Sequence, residues 1–106
     1  MHTNIPGRPP IELPAYYEQF SWYYPNCEMQ TKGWFVRHAA PDWTYIDCGA
    51  NLGYYAILFS QLSPQGRVHA IEPTSTADML DTNLRHHACG NVTVHRLAFG
   101  KQKKFF

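Results

Sequence analysis

The sequence predicts an α/β fold: three parallel strands in the order 3-2-1, the incomplete half of a doubly wound sheet. Two observations point there. From Thr44 onward, short β-prone runs alternate with stretches of helical spacing, in the order strand, helix, strand, helix, strand. The connections are also short, and short right-handed crossovers lay successive strands side by side in one parallel sheet.

Each element carries its own signal. Residues 1–14 hold Pro6, Pro9, Pro10 and Pro14 with few apolar side chains, so a flexible arm is expected there. Residues 15–43 are dense in aromatics, from Tyr16 and Tyr17 through Trp34 and Phe35 to Trp43, and show no period of 2 or 3.6. Their secondary structure stays open, and they are expected to pack as a cover. "TYIDCGA", from Thr44, reads as the first strand. Tyr55, Leu58, Phe59 and Leu62 then fall at the spacing of one helical face, so a strand feeds a helix through "CGANLG". "SPQG", with proline and a fourth-position glycine, reverses the chain in a type I turn. "RVHAIEP" is the second strand. Ser75 with Asp78 resembles a capping box, opening a helix with Met79, Leu80, Asn83 and Leu84 that ends near Gly90. "NVTVHRLAF" is the third strand.

Composition limits the function. The 106 residues hold nine Lys and Arg against eight Asp and Glu and contain no run of 18 apolar residues, which predicts one soluble unit with no membrane partner. The basic cluster Lys101, Lys103 and Lys104 reads as a solvated turn, so no nucleic-acid partner is expected. "MHTNIPGRPP" lacks the regions of a secretory signal, making a cytoplasmic location the expectation. Cys27, Cys48 and Cys89 are odd in number and lack CxxC spacing, which fits reduced thiols. His38, His69, His86, His87 and His95 show no metal-ligand spacing, and the sequon at Asn91 reads as chance.

The candidate site lies on the loop after the first strand, because ligands of such sheets bind outside the carboxyl ends of the strands. Gly49 and Gly53 allow a tight turn and a close approach to the main chain, and the following helix is expected to offer free N–H groups. Glu72 ends the second strand, where an acid beside the loop can accept hydrogen bonds from both hydroxyls of a ribose. The dinucleotide fingerprint is broken by Asn51 and by Tyr54 in the place of its last glycine, and no Gly-Lys-Ser/Thr motif occurs. Asp47 reads as structural, a carboxylate able to take N–H groups of the loop.

The stretch "YIDCGANLGYYAILFSQLSPQGRVHAIEP", with "NVTVHRLAFG" after it, resembles the first half of class I S-adenosylmethionine-dependent methyltransferases, particularly the FkbM type. The resemblance covers about Tyr45 to Gly100. It implies a Rossmann-like methyltransferase fold with S-adenosylmethionine as cofactor. Gly49, Ala50, Asn51 and Gly53 would surround the methionine portion, with Asp47 bracing the strand end. Glu72 would hold the ribose, and the backbone near Leu97 and Ala98 would approach the adenine. Thr74-Ser75 departs from the family's Asn-Pro, and residues 16–43 match no part of it.

The resemblance also implies that a complete enzyme is about twice this length. Residues 44–106 are therefore expected to be a truncated S-adenosylmethionine-binding domain, inactive alone, with the methyl acceptor unknown and no catalytic base among its residues. Methyl transfer, to oxygen by the same resemblance, needs chiefly in-line positioning. The alternative reading is a non-catalytic nucleoside-binding or interaction remnant of the same fold. In a 3-2-1 sheet both crossover helices share one face, leaving the aromatic segment as the available cover for the other. The first strand would have an open edge, so self-association is expected.

Overall fold

In the computed structural model, which describes residues 1–98, the chain opens with a hairpin and not an arm. Strand β1 (His2–Ile5) pairs antiparallel with β2 (Arg8–Glu12) across a Pro6-Gly7 turn, Gly7 supplying a φ of 70°. Thr3, Ile5, Ile11 and Leu13 are buried. The prolines that signal a loose arm are tolerated because Pro9 and Pro10 are exposed and fall in the irregular stretch between the Thr3–Ile11 and Ile5–Arg8 pairs, and proline is accepted at such bulges. The ribbon's open end is tied by Leu13 N–H, which donates to Met1 O at 2.7 Å.

Two short 3-10 turns, Glu18–Phe20 and Tyr24–Asn26, lead into helix α1 (Met29–His38). The regular part then follows the expected order: β3 (Thr44–Cys48), α2 (Tyr54–Leu62), β4 (Arg67–Ile71), α3 (Ala77–His86) and β5 (Val92–His95). The strands form one parallel sheet in the order β3-β4-β5, with Thr44 opposite Arg67 and Val68 opposite Val92. This is the expected α/β, Rossmann-like half-sheet, with β3 at an edge. The third strand stops at His95. Arg96, Leu97 and Ala98, expected to continue it, are not in strand, while Phe99, the end of the resemblance at Gly100 and the cluster Lys101, Lys103 and Lys104 lie outside the described residues.

The turn after α2 closes as expected, Gly66 N–H donating to Ser63 O at 2.9 Å. Gly66 is required there because a Cβ would lie 1.8 Å from Trp43 O. Asn91 is engaged by its own fold, its amide donating to Ser63 O and Gly66 O at 3.0 and 3.2 Å. The capping box is not formed. Thr76 is the N-cap of α3 and makes no side-chain cap bond, while Thr74 O and Ser75 O accept the first backbone N–H groups.

Helix α2 is buried nearly all round, with Tyr54, Ala56, Ile57, Leu58 and Phe59 all inside. Its sequence period implies one inward face, with Tyr55 on it; the structure buries Tyr54 more fully. The reason is a third layer. Tyr45 of β3 stacks on Phe59 at 4.1 Å between centroids, Phe35 of α1 packs on Phe59 at 4.7 Å, and Tyr24 meets Tyr54 at 5.5 Å. The N-terminal hairpin and aromatic segment therefore cover the helices, and Ile5, Ile11 and Leu13 join Ile57, Val68 and Leu80 in one core. Full burial of each such side chain is worth about 1.5–3 kcal/mol.

The aromatic segment consequently does not cover the far side of the sheet. Ile46 is 67% exposed there, and with His69, Ile71, His95 and Leu97 it lines an open cleft of about 250 Å³. His69 Nδ1 and His95 Nε2 share a hydrogen bond of 3.0 Å across the neighbouring strands. No helix of the described residues is long and apolar enough to cross a membrane.

Candidate functional site

The loop between β3 and α2 alternates backbone handedness: Gly49, Asn51 and Gly53 have φ values of 74°, 56° and 99°. Glycine takes this region freely and asparagine tolerates it, which accounts for the spacing of these three residues. A side chain at Gly53 would also meet Leu80 of α3, with the added Cβ 2.6 Å from Leu80 Cδ1. Leu80 thus seats the start of α2 against α3.

The loop's donors are used by the protein itself. Gly49 N–H and Ala50 N–H both donate to Ile71 O, at 2.8 and 3.0 Å; Asn51 N–H donates to Glu72 Oε1 at 2.8 Å; and Gly53 N–H donates to Ala50 O at 3.0 Å. These four bonds belong to the loop; the expectation of free N–H groups concerns the start of α2, whose first backbone bond is Ile57 N–H to Gly53 O at 2.9 Å. The loop also leaves acceptors. Asp47 Oδ2 and Asn51 Oδ1 are buried with no hydrogen-bond partner.

Glu72 is 6% exposed, and both its oxygens are engaged. Besides Asn51, Thr74 donates to Oε2 through its N–H at 3.2 Å and its hydroxyl at 2.6 Å. Burial pushes the Glu72 carboxyl up, but the bonds from Thr74 and Asn51 outweigh it and hold it below its usual value. Thr74, which departs from the FkbM pattern, is therefore part of this brace. A ribose could reach Glu72 only by adding to or exchanging one of these bonds.

Asp47, Cys48, Gly49, Ala50 and Asn51 line a cavity of about 350 Å³ together with Tyr24, Glu28, Tyr54 and Tyr55. Burial, with the Glu28 and Glu72 carboxylates adding, pushes the Asp47 carboxyl up to about 6. Leu97 lies elsewhere, 47% exposed on the open sheet face, and Ala98 is exposed beyond it. Among the described residues no group of three His, Cys, Asp or Glu side chains is placed to hold a metal ion.

Four residues here were not singled out as ligand-facing by the sequence: Tyr24, Glu28, Tyr54 and Tyr55. Glu28 precedes α1 in the left-handed region at φ 52°, and its carboxylate accepts Tyr54 Oη at 2.7 Å and Tyr55 Oη at 3.2 Å. The pair Tyr54-Tyr55 adjoining the glycine loop was a visible signal; nothing in "YYPNCE" marks Glu28. Behind Tyr54 lies Lys32, fully buried, whose Nζ donates to Thr3 Oγ1 at 2.7 Å and sits 4.9 Å from the Tyr54 ring centroid. Asn83, also fully buried, binds Ala15 N–H and C=O at 2.9 Å each and Leu52 O at 2.8 Å, joining the N-terminal segment, α3 and the loop.

No curated protein matches the sequence. Among solved structures, the precorrin-6y C5,15-methyltransferase from Geobacter metallireducens GS-15 is similar with a TM-score of 0.63 and 21% identity, over 78% of this chain and 43% of that one. Methyltransferase FkbM from Methylobacillus flagellatus KT is similar with a TM-score of 0.53 and 24% identity, over 61% and 19%. The chain thus spans less than half the length of these structures. The likeness shows a partial Rossmann-like methyltransferase fold without singling out the FkbM type. The family described as Vibrio cholerae RfbT protein matches residues 12–100, the greater part of the sequence, and the chain belongs to that family.

Proposed function

We propose that this chain is the cofactor-binding part of an S-adenosylmethionine-dependent methyltransferase, with an oxygen nucleophile as acceptor in keeping with the FkbM resemblance. The observation that carries the reading is the pairing of spent donors with orphaned acceptors: the named N–H groups of the loop are used, while Asp47 Oδ2 and Asn51 Oδ1 lack partners. A pyrophosphate needs donors and would meet carboxylates here. A ligand carrying positive charge and N–H donors fits.

Gly49, Ala50, Asn51 and Gly53 would border the methionine portion, Asp47 would face its charge, and Glu72 would hold the loop and offer its remaining lone pairs to a ribose. When bound, this cofactor supplies the electrophilic methyl group. The protein's own part is to orient the ligand along the loop and exclude water with Tyr24, Tyr54 and Tyr55. Among the described residues no side chain is assigned as the acceptor's base. Calorimetry on the full chain tests the reading: binding of S-adenosylhomocysteine with no heat from NAD is expected. Binding of NAD in preference to S-adenosylhomocysteine would overturn it.

A further inference from the structure

The cavity beside the glycine loop has an unbalanced lining. Glu28 and Asp47 face it, Glu72 lies directly behind Asn51, and none of its lining residues is basic. The nearest buried cation, Lys32, stands behind the Tyr54 ring and is bonded to Thr3 Oγ1 and to Asn4 O at 3.1 Å. Tyr54 and Tyr55 donate to Glu28, and burial raises both hydroxyls well above their ordinary value, so they stay donors. A carboxylate has about four lone-pair positions, which leaves Glu28 capacity for two further donors. The orphaned Asn51 Oδ1 is a neutral acceptor, so the demand for a donor does not come from the acids alone. The tyrosines Tyr24, Tyr54 and Tyr55 also line the cavity.

We propose that Glu28 is a specificity-determining residue of this site: with Asp47 and Asn51 Oδ1 it receives the primary ammonium group of an amino-acid-bearing ligand. The inference rests on the cofactor reading above and adds to it that residues before α1 contribute to ligand recognition. An ammonium offers three donors to three acceptors from two segments, Glu28 before α1 and Asp47 and Asn51 around the glycine loop. A metal ion is a poorer occupant, since no set of three ligating side chains is assembled among the described residues. The left-handed backbone of Glu28, a strained choice for a non-glycine residue, is held in place by the two tyrosine hydroxyls.

The test is calorimetry on the full chain with two probes, S-adenosylhomocysteine and its desamino analogue. Wild type is expected to bind the first at least about tenfold more tightly, Glu28→Gln is expected to remove most of that preference while binding the analogue as wild type does, and Asp47→Asn is expected to narrow the preference as well. This spares the adenosyl contacts, so loss of preference alone marks Glu28 as the ammonium receptor. Equal wild-type affinity for the two probes would overturn the inference and leave the cofactor reading standing. A Glu28→Gln that weakens both probes alike, with its melting temperature lowered, would show a structural residue instead and also overturn it. Binding of neither probe by folded wild type would overturn both.

Discussion

Asn51 N–H donates to Glu72 Oε1 at 2.8 Å, so the acid that ends the second strand of the parallel sheet braces the glycine loop that follows the first. Thr74 completes the brace from the other side. Glu72→Gln should therefore cost stability as well as affinity, about 1.5–3 kcal/mol, the range for hydrogen bonds to a charged group. The folded carboxyl lies below its unfolded value, so its contribution is present above the unfolded pKa and is lost as pH falls through the folded one. Urea melts of wild type and variant should converge in acid. Constant separation at all pH would show that the charge is immaterial.

Asp47 has the opposite sign. Its carboxyl is raised to about 6 by burial and by its acidic neighbours, so the folded state resists its ionisation. The stability it contributes is fully present below the unfolded pKa near 4 and is lost as pH rises through about 6, by about 2–3 kcal/mol. Asp47→Asn should flatten that decline between about pH 4 and 6.5. A variant whose stability tracks wild type over this range would remove Asp47 as its source.

Asn83 is the polar pin of the helical layer. Asn83→Ala would strand Ala15 N–H and C=O and Leu52 O. A loss of about 2–4 kcal/mol is expected, since each buried group left without a partner is costly. Thermal melting checks it, and a loss within about 0.5 kcal/mol, the usual range for surface positions, would show that water replaces the side chain.

Gly53→Ala combines a left-handed backbone with a Cβ placed 2.6 Å from Leu80 Cδ1. Together the two effects should cost about 2–4 kcal/mol. Adding Leu80→Ala should recover only the steric part, which a double-mutant cycle reads as a favourable coupling. Strict additivity would mean that α3 simply moves away.

Among the described residues Ile46 stands 67% exposed on the sheet face away from the helices, and β3 is an edge strand. We expect the isolated chain to self-associate through this edge and face, and Ile46→Glu to reduce the mass seen by sedimentation. A wild-type chain that sediments as a monomer at every concentration, with protected β3 amides, would refute this.

Local pattern determined the parallel half-sheet of this protein. Strand runs, helical spacing and the Pro-Gln-Gly turn are short-range signals, and right-handed crossovers leave little choice in joining them. The glycine loop was equally legible, because left-handed backbone selects Gly49, Asn51 and Gly53 by residue type. Tertiary structure alone decided which hydrogen bonds that loop makes. Whether Gly49 and Ala50 donate to a ligand or to Ile71 O depends on how closely two strand ends meet, which no spacing encodes. It also made a hairpin of residues 1–14, whose prolines look like disorder until Ile5, Ile11 and Leu13 join the core with Ile57, Val68 and Leu80. Glu28 entered the site in the same way. Its place there comes from long-range packing of α1 against α2, and the two tyrosine hydroxyls that hold it lie 26 and 27 residues away along the chain.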